Sequence, residues 1–181
     1  MELIKKVRFN SKKIKSVFLP VILLIFTAVA CKISYSFSGA SISSQVKTMS
    51  VERFFSRVPL VPPGLDQTFT DALIDMCRSK TSLRSVSESG DVEFEGEITE
   101  YQTQPRTVSG DDNFAATNRF TITVRVKFTN SIEPEYNFDQ SFSHYVDYDG
   151  ERDFTSVERD LSESIVDKII EDIFNKAFVN W

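Results

Sequence analysis

Regular alternation of apolar and polar residues constrains the second half of this chain more than any other sequence feature. Between residues 119 and 130, every second residue is apolar (Phe120, Ile122, Val124, Val126, Phe128). Residues 91–101 and 135–145 alternate in the same way. Successive side chains of a strand point to opposite faces, so each segment is predicted to be a strand with one buried and one wet face. Three such strands predict an antiparallel sheet with one face in water.

The wet faces of two predicted strands carry opposite charges. The first presents Glu93, Glu95 and Glu97, and the second presents Arg119, Arg125 and Lys127. Antiparallel pairing can set such charges across from each other and so help to fix the register. This interpretation explains the basic stripe without a binding role.

Two amphipathic helices are predicted around these strands. In residues 65–79 the apolar side chains share one helical face, and a second helix from about residue 156 has a longer apolar stripe (Leu65, Phe69, Ala72, Leu73, Met76; Val157, Leu161, Ile165, Ile169, Ile173, Ala177). Thr155 and Glu158 match a capping box at the start of the second helix. The aromatic end of the chain, residues 178–181, is predicted to dock against the domain.

The element order β-α-β-β-β-α follows once residues 45–55, which are rich in β-forming residues, are taken as a first strand. Two helices can cover the apolar face of four strands. The predicted fold class is therefore α+β, a two-layer sandwich in which a four-stranded, mostly antiparallel sheet is covered on one face by two helices. Residues 103–118 are predicted to form a long loop between strands, and such loops are often functional or mobile.

The first thirty residues have the layout of a secretory signal. Six basic residues precede an apolar stretch at positions 17–30, which as a helix would measure about 21 Å against the roughly 30 Å of a hydrocarbon core. Ala28, Val29 and Ala30 precede Cys31 and resemble the lipobox of bacterial lipoproteins. We therefore expect residues 1–30 to be a lipoprotein signal peptide, 31–44 a lipidated cysteine and tether, and 45–181 a single domain. The alternative is an ordinary signal peptide in which Cys31 is incidental.

Charge differs sharply between these parts. Residues 1–30 carry six Lys/Arg and one acid, a net charge of +5, and the remainder carries 15 Lys/Arg against 25 Asp/Glu, a net charge of −10. An acidic body is a poor partner for nucleic acid. Once Cys31 is acylated only Cys77 remains, so no intramolecular disulfide is expected, and its place in a helical apolar pattern predicts a buried, inert thiol.

The sequence has no pattern typical of catalysis or metal binding. His144 is the only histidine, and there is no G-x-S-x-G, C-x-x-C or P-loop motif. The acidic run around Gly150 lacks the spacing of a calcium loop and is interpreted as a solvated turn. We expect no enzyme, no metal and no cofactor, apart from the diacylglycerol and the N-linked acyl chain on Cys31.

The order of the segments and their local sequences resemble those of the LptE family of lipopolysaccharide-assembly lipoproteins. The likeness covers the lipobox, the Ser-rich lead, Pro-Pro-Gly, and the segments DVEFEGEITEY, NRFTITVRVKFTN, FDQSFSHYVDYD and IIEDIFNKAFVNW. The resemblance implies an outer-membrane lipoprotein that plugs the lumen of an LptD-type β-barrel, helps the barrel to assemble and binds lipopolysaccharide. It also implies a four-stranded sheet with two helices. The alternative function is a free-standing, periplasm-facing lipoprotein that binds lipid or protein.

Arg106 and Arg119 are the candidate glycolipid contacts. They bracket the predicted loop near strand ends, and a guanidinium group can bind a phosphate through two hydrogen bonds. For each residue the competing interpretation is a surface charge or a cross-strand pair. This structural interpretation is about twice as probable as a glycolipid contact, because exposed charges and ion pairs are common and individually weak.

Overall fold

The computed structural model describes residues 42–59, 61–108 and 115–179, which belong to one compact unit. Cys31, the signal segment, most of the tether and residues 180–181 lie outside this range, so the predictions made for them remain predictions. A short 3₁₀ turn at Pro134–Tyr136 accompanies the regular elements: β1 (Thr48–Val51), β2 (Phe55–Ser56), α1 (Leu65–Lys80), β3 (Arg84–Ser85), β4 (Val92–Val108), β5 (Ala115–Asn130), β6 (Phe138–Asp149) and α2 (Phe154–Phe178).

The long strands β4, β5 and β6 form an antiparallel meander, which confirms the pairing predicted from the alternating pattern. In the observed register Glu95 lies opposite Lys127 and Glu97 opposite Arg125. The apolar members of the pattern are buried beneath the helices: Val92, Phe94, Ile98, Phe120, Ile122, Val124, Val126 and Phe128. The third predicted strand begins later than expected, at Phe138, because Tyr136 lies in the 3₁₀ turn, and it continues to Asp149.

The sheet is larger and less antiparallel than predicted. It has six strands in the order β3-β1-β4-β5-β6, with β2 also beside β4, and β1, β2 and β3 all pair in parallel. The expectation of four mostly antiparallel strands was wrong. Parallel neighbours need a crossover connection, and α1 supplies it between β1 and β4. The α+β class, with both helices on one layer, is as expected.

The predicted strand at residues 45–55 is split into β1 and β2 by an inward turn at Phe54. The Phe54 ring stacks on Phe69 of α1 at 5.7 Å, and its backbone N–H donates to Thr70 Oγ1 at 3.0 Å. On the sheet side the ring lies over Gly96, where an added Cβ would come within 2.2 Å of a ring carbon. Glycine is required there because the Phe54 ring occupies the space of a side chain.

Both helices pack their apolar faces on the sheet. In α1, Leu65, Phe69, Leu73 and Cys77 are buried; in α2, the buried stripe runs from Val157 to Phe178. Cys77 is fully buried, as predicted, and burial raises the pKa of its thiol to about 12. Neither helix in the described residues is both long enough and apolar enough to cross a membrane.

The predicted capping box at α2 is not formed. The helix begins at Phe154, with Asp153 at the N-cap position, and Ser156 Oγ donates to the Asp153 carbonyl oxygen at 2.6 Å. Glu158 instead accepts a hydrogen bond of 2.6 Å from the Tyr101 hydroxyl. Tyr101 can reach α2 because a register shift between Ile98 and Glu100 turns it onto the helix side. A contact between helix and sheet therefore replaces the local capping bond.

Most of the predicted loop at residues 103–118 is strand. β4 continues to Val108 and β5 starts at Ala115, with Gln104 opposite Arg119 and Arg106 opposite Thr117. Residues 109–114 lie outside the described part. Proline has no N–H group to donate to a neighbouring strand and is therefore confined to strand edges. Pro105 is accommodated in β4 because β2 pairs with β4 only as far as Ile98, and beyond that residue only β5 lies beside β4.

Candidate functional site

The distal end of the β4–β5 pair carries both candidate arginines on the polar face of the sheet. Arg119 lies opposite Gln104 in the pairing of the two strands. Arg106 lies opposite Thr117, which is the next pair on the same face toward the distal end. On the opposite face, the Phe154 ring of α2 packs 5.0 Å from the Phe120 ring and 6.0 Å from the Tyr148 ring, and Tyr148 is the strand partner of Asn118. The structure therefore brings Arg106 and Arg119 to the same polar face, near the level at which the helix layer ends.

Arg119 is held by two neighbours on β6. Its Nε and Nη2 atoms donate to the two Asp147 carboxylate oxygens at 2.7 and 2.8 Å, and its guanidinium carbon lies 3.5 Å from the centre of the Tyr145 ring. Only 24% of the Arg119 side chain is exposed. The hydrogen bond to Asp147 raises the pKa of Arg119, and the same bond lowers the pKa of Asp147. The guanidinium is thus fixed in orientation on the sheet surface.

Arg106 has a different environment. Its side chain is exposed and makes no hydrogen bond or ion pair with any residue in the described ranges. Its positive charge contributes to lowering the pKa of Asp147, which places it in the electrostatic field of that carboxylate. Of the two arginines, Arg106 has the freer guanidinium for an anionic ligand.

The remainder of the polar face is a series of cross-strand pairs. Lys127 Nζ donates to Glu95 Oε1 at 2.5 Å, so one acidic residue of β4 does pair with a basic residue of β5. Arg125, however, binds both Asp139 oxygens on β6 at 2.7 and 2.8 Å, whereas its opposite residue Glu97 is paired with Arg57. Exposed pairs of this kind contribute little stability individually but help to fix register.

The acidic partners on β6, Asp139 and Asp147, were not predicted from the sequence. Asp139 and Asp147 have the parity opposite to that of the half-buried Phe138 and Val146, so alternation places them on the polar face. That signal was available for Asp139. It was not used for Asp147, which fell beyond the predicted end of the strand.

In the described residues no group of three or more His, Cys, Asp or Glu side chains is placed to hold a metal ion. His144 Nε2 lies 2.6 Å from Asp172 Oδ2 and so links the sheet edge to α2. The polar face of the sheet, apart from the surroundings of Arg106 and Arg119, presents Thr and Ser hydroxyl groups and paired charges, such as Thr123 with Ser143 and Lys127 with Glu95. A watery or polar surrounding would accommodate these groups.

Several solved structures are similar to this chain. A candidate neuraminyllactose-binding hemagglutinin homologue from Helicobacter pylori matches with a TM-score of 0.50 at 10% identity, covering 78% of this chain and 88% of that one. A hypothetical protein from Chlamydia trachomatis matches with a TM-score of 0.48 at 12% identity, covering 73% and 98%. A minor lipoprotein from Acinetobacter baumannii matches with a TM-score of 0.45 at 12% identity, covering 73% and 92%. At these identities the similarity concerns the fold alone.

The family comparison is more specific. No curated protein matches the chain. The family described as LptE, lipopolysaccharide-assembly, matches residues 46–177, which is most of the chain and includes every strand and nearly all of α2. The chain therefore belongs to the LptE family of lipopolysaccharide-assembly proteins.

Proposed function

We propose that the mature protein is an outer-membrane lipoprotein that occupies the lumen of an LptD-type β-barrel, helps that barrel to assemble, and contacts lipopolysaccharide as it is inserted into the outer leaflet. The observation that carries the proposal is the family match over residues 46–177. The protein would act by binding and positioning, without a catalytic step of its own.

The polar face of the sheet supports a place inside a barrel. The interior of a large transmembrane barrel is polar and water-filled. On this face the strands present hydroxyl groups and paired charges, such as Thr123 with Ser143 at 2.9 Å and Arg125 with Asp139. A surface of this composition can lie against a polar wall with no large loss of hydration, whereas an apolar surface would favour lipid.

The membrane anchor in this proposal is Cys31, acylated after a signal peptide of residues 1–30 is removed. Several acyl chains give stable attachment to a bilayer, while a single chain gives only marginal binding. Palmitate is among the acyl groups we expect at this position. The domain would then face the periplasm or enter the barrel from that side.

Co-purification from the native membrane tests the proposed partnership. We expect a C-terminally tagged chain, extracted from outer membranes in mild detergent, to bring down one large β-barrel protein at equal stoichiometry, measured by quantitative mass spectrometry. Recovery of the chain alone, from cells that do make such a barrel, would overturn the barrel partnership. That result would favour the second candidate, a free-standing lipoprotein that binds lipid or protein.

Glycolipid binding at the distal site has a separate test. We expect Arg106→Glu to weaken binding of purified lipopolysaccharide about tenfold or more, because the change removes one charge-assisted hydrogen bond of about 1.5 kcal/mol and sets a negative charge against the anionic ligand. Arg119→Gln should have a smaller effect because Asp147 already holds that guanidinium. Titration of the detergent-solubilised full chain with labelled lipopolysaccharide measures both changes.

Arg159 provides a matched control for this titration. Its side chain is 87% exposed on α2, away from the sheet face, so Arg159→Glu makes the same change of charge elsewhere. Equal weakening by Arg106→Glu and Arg159→Glu would show that only net charge matters and would remove the distal site from the proposal.

A further inference from the structure

The outer surface of the helix layer contains a groove that the proposed function does not use. The two helices run in the same direction, and between their last turns they leave a groove of about 840 Å³. Its apolar lining comes from Ala72 and Met76 on α1, from Ile170 and Phe174 on α2, and from Val179 directly after α2. Val179 is 39% exposed, and Ala72 and Met76 are half-buried, so apolar surface is accessible to a partner.

The rim of this groove is acidic. Asp75 from α1 and Asp167 and Glu171 from α2 line it, and Lys80 is its one basic residue in the described part. Glu171 is paired with Lys168 at 3.2 Å on its own helix. The Asp75 and Asp167 side chains are exposed and make no hydrogen bond or ion pair with any other described residue. The groove therefore combines an apolar floor with two unpaired carboxylates, one on each wall.

We propose that this groove binds an amphipathic, cationic segment of a protein partner, with apolar side chains on the floor and Lys or Arg side chains against Asp75 and Asp167. Helices commonly bind in grooves through apolar residues at helical spacing. The acidic rim requires a positively charged segment, because opposite charges across an interface favour association and like charges oppose it.

Charge argues against the other occupants. A second copy of this chain would bring an acidic body, with a net charge of −10 outside residues 1–30 (15 Lys/Arg against 25 Asp/Glu), against an acidic rim. An anionic lipid surface would meet the same repulsion. A wholly apolar partner would cover Asp75 and Asp167 without compensating their lost hydration.

The groove and the distal arginine site lie on different layers of the domain. The groove is lined by residues of the two helices and by Val179 directly after α2, whereas Arg106 and Arg119 lie on the polar face of the sheet. Both could be occupied at once. The groove proposal therefore stands whether or not the barrel partnership does.

Fluorescence anisotropy with a synthetic probe tests the proposal. The probe is a labelled 14-residue peptide of Leu and Lys with the leucines at helical spacing, titrated with the full chain in non-ionic detergent. We expect saturable binding that the double variant Asp75→Lys/Asp167→Lys weakens about tenfold or more, because two attractions become repulsions at short range. Replacing every Lys of the probe by Glu should abolish binding.

The control is a second double variant with the same net charge. Asp71 on α1 and Asp160 on α2 are exposed and do not line the groove. We expect Asp71→Lys/Asp160→Lys to weaken binding no more than about twofold, because salt screens the electrostatic effect of charges that do not touch the probe. Equal weakening by both double variants, or equal binding of the Glu-substituted probe, would overturn the proposal. Unchanged binding by Asp75→Lys/Asp167→Lys would do the same.

Discussion

Cys31→Ser is expected to abolish acylation of the protein completely. In the proposed lipoprotein processing, the diacylglyceryl group would be attached to the Cys31 thiol before the peptide bond after Ala30 is cut, so a serine at this position should block both steps. We expect the wild-type chain to incorporate labelled palmitate and to lose residues 1–30, and the variant to do neither. Metabolic labelling and intact-mass measurement of the purified protein give both results.

Cys77→Ala is the matched control, because Cys77 is the only other cysteine of the sequence. The Cys77 side chain is fully buried in α1, so it cannot present its thiol to an acyl donor. The control variant should incorporate label as the wild type does. A Cys31→Ser chain that is still cut after Ala30 would contradict the lipoprotein proposal and support an ordinary signal peptide.

Phe178→Ala is expected to reduce the free energy of unfolding by about 3–5 kcal/mol, the usual cost of truncating a buried aromatic side chain. Phe178 is fully buried at the end of α2, and its ring lies 5.9 Å from the rings of both Phe94 and Phe128 and 5.3 Å from that of Phe174. Domains are typically stable by about 5–15 kcal/mol, so the loss is a large fraction. Urea unfolding followed by far-ultraviolet circular dichroism measures it.

The next residue supplies the comparison. Val179 is 39% exposed, and Val179→Ala should change the free energy of unfolding by less than about 0.5 kcal/mol, as expected for surface substitutions. If Phe178→Ala reduced the free energy of unfolding as little as Val179→Ala does, the end of α2 would be frayed and the aromatic cluster would not hold it. The difference between two adjacent residues thus measures the packing of the helix end.

The sequence predicted the elements in which one face is apolar and the other polar. Alternation in β5 and the helical stripe of α1 are strong signals because burial requires them. The parallel part of the sheet was predicted only as one strand at residues 45–55, and its division into β1 and β2, its parallel pairing and β3 were not predicted, because β2 and β3 have two residues each, too few to show a period. The distal part of β4 was also missed, because residues 102–106 are exposed or nearly so and no apolar alternation marks them.

The candidate site was predictable only in part. Its arginines could be identified from their positions at the ends of predicted strands, and the structure places both on one face. The pairing of Arg119 with Asp147 depends on the register between β5 and β6, which arises from packing along the whole length of both strands. The contact of Tyr101 with α2 was not predicted for a similar reason. A register shift of one residue in β4 reverses the side of the sheet that the following residues face.

The one-sided pairing of β4 beyond Ile98 has a consequence for motion. From that point β4 has hydrogen-bonding partners only on β5, and past Tyr101 the helix layer no longer covers it. Residues 102–106 are exposed, so separating them from β5 uncovers less buried surface than separating residues 92–98, and we expect their amide hydrogens to exchange with solvent at a lower free energy. We therefore expect this end of β4, the arm that carries Arg106, to open locally while the body stays folded. A ligand bound there would lower the entropy of the arm, and this loss would appear as an unfavourable term in the calorimetry of binding.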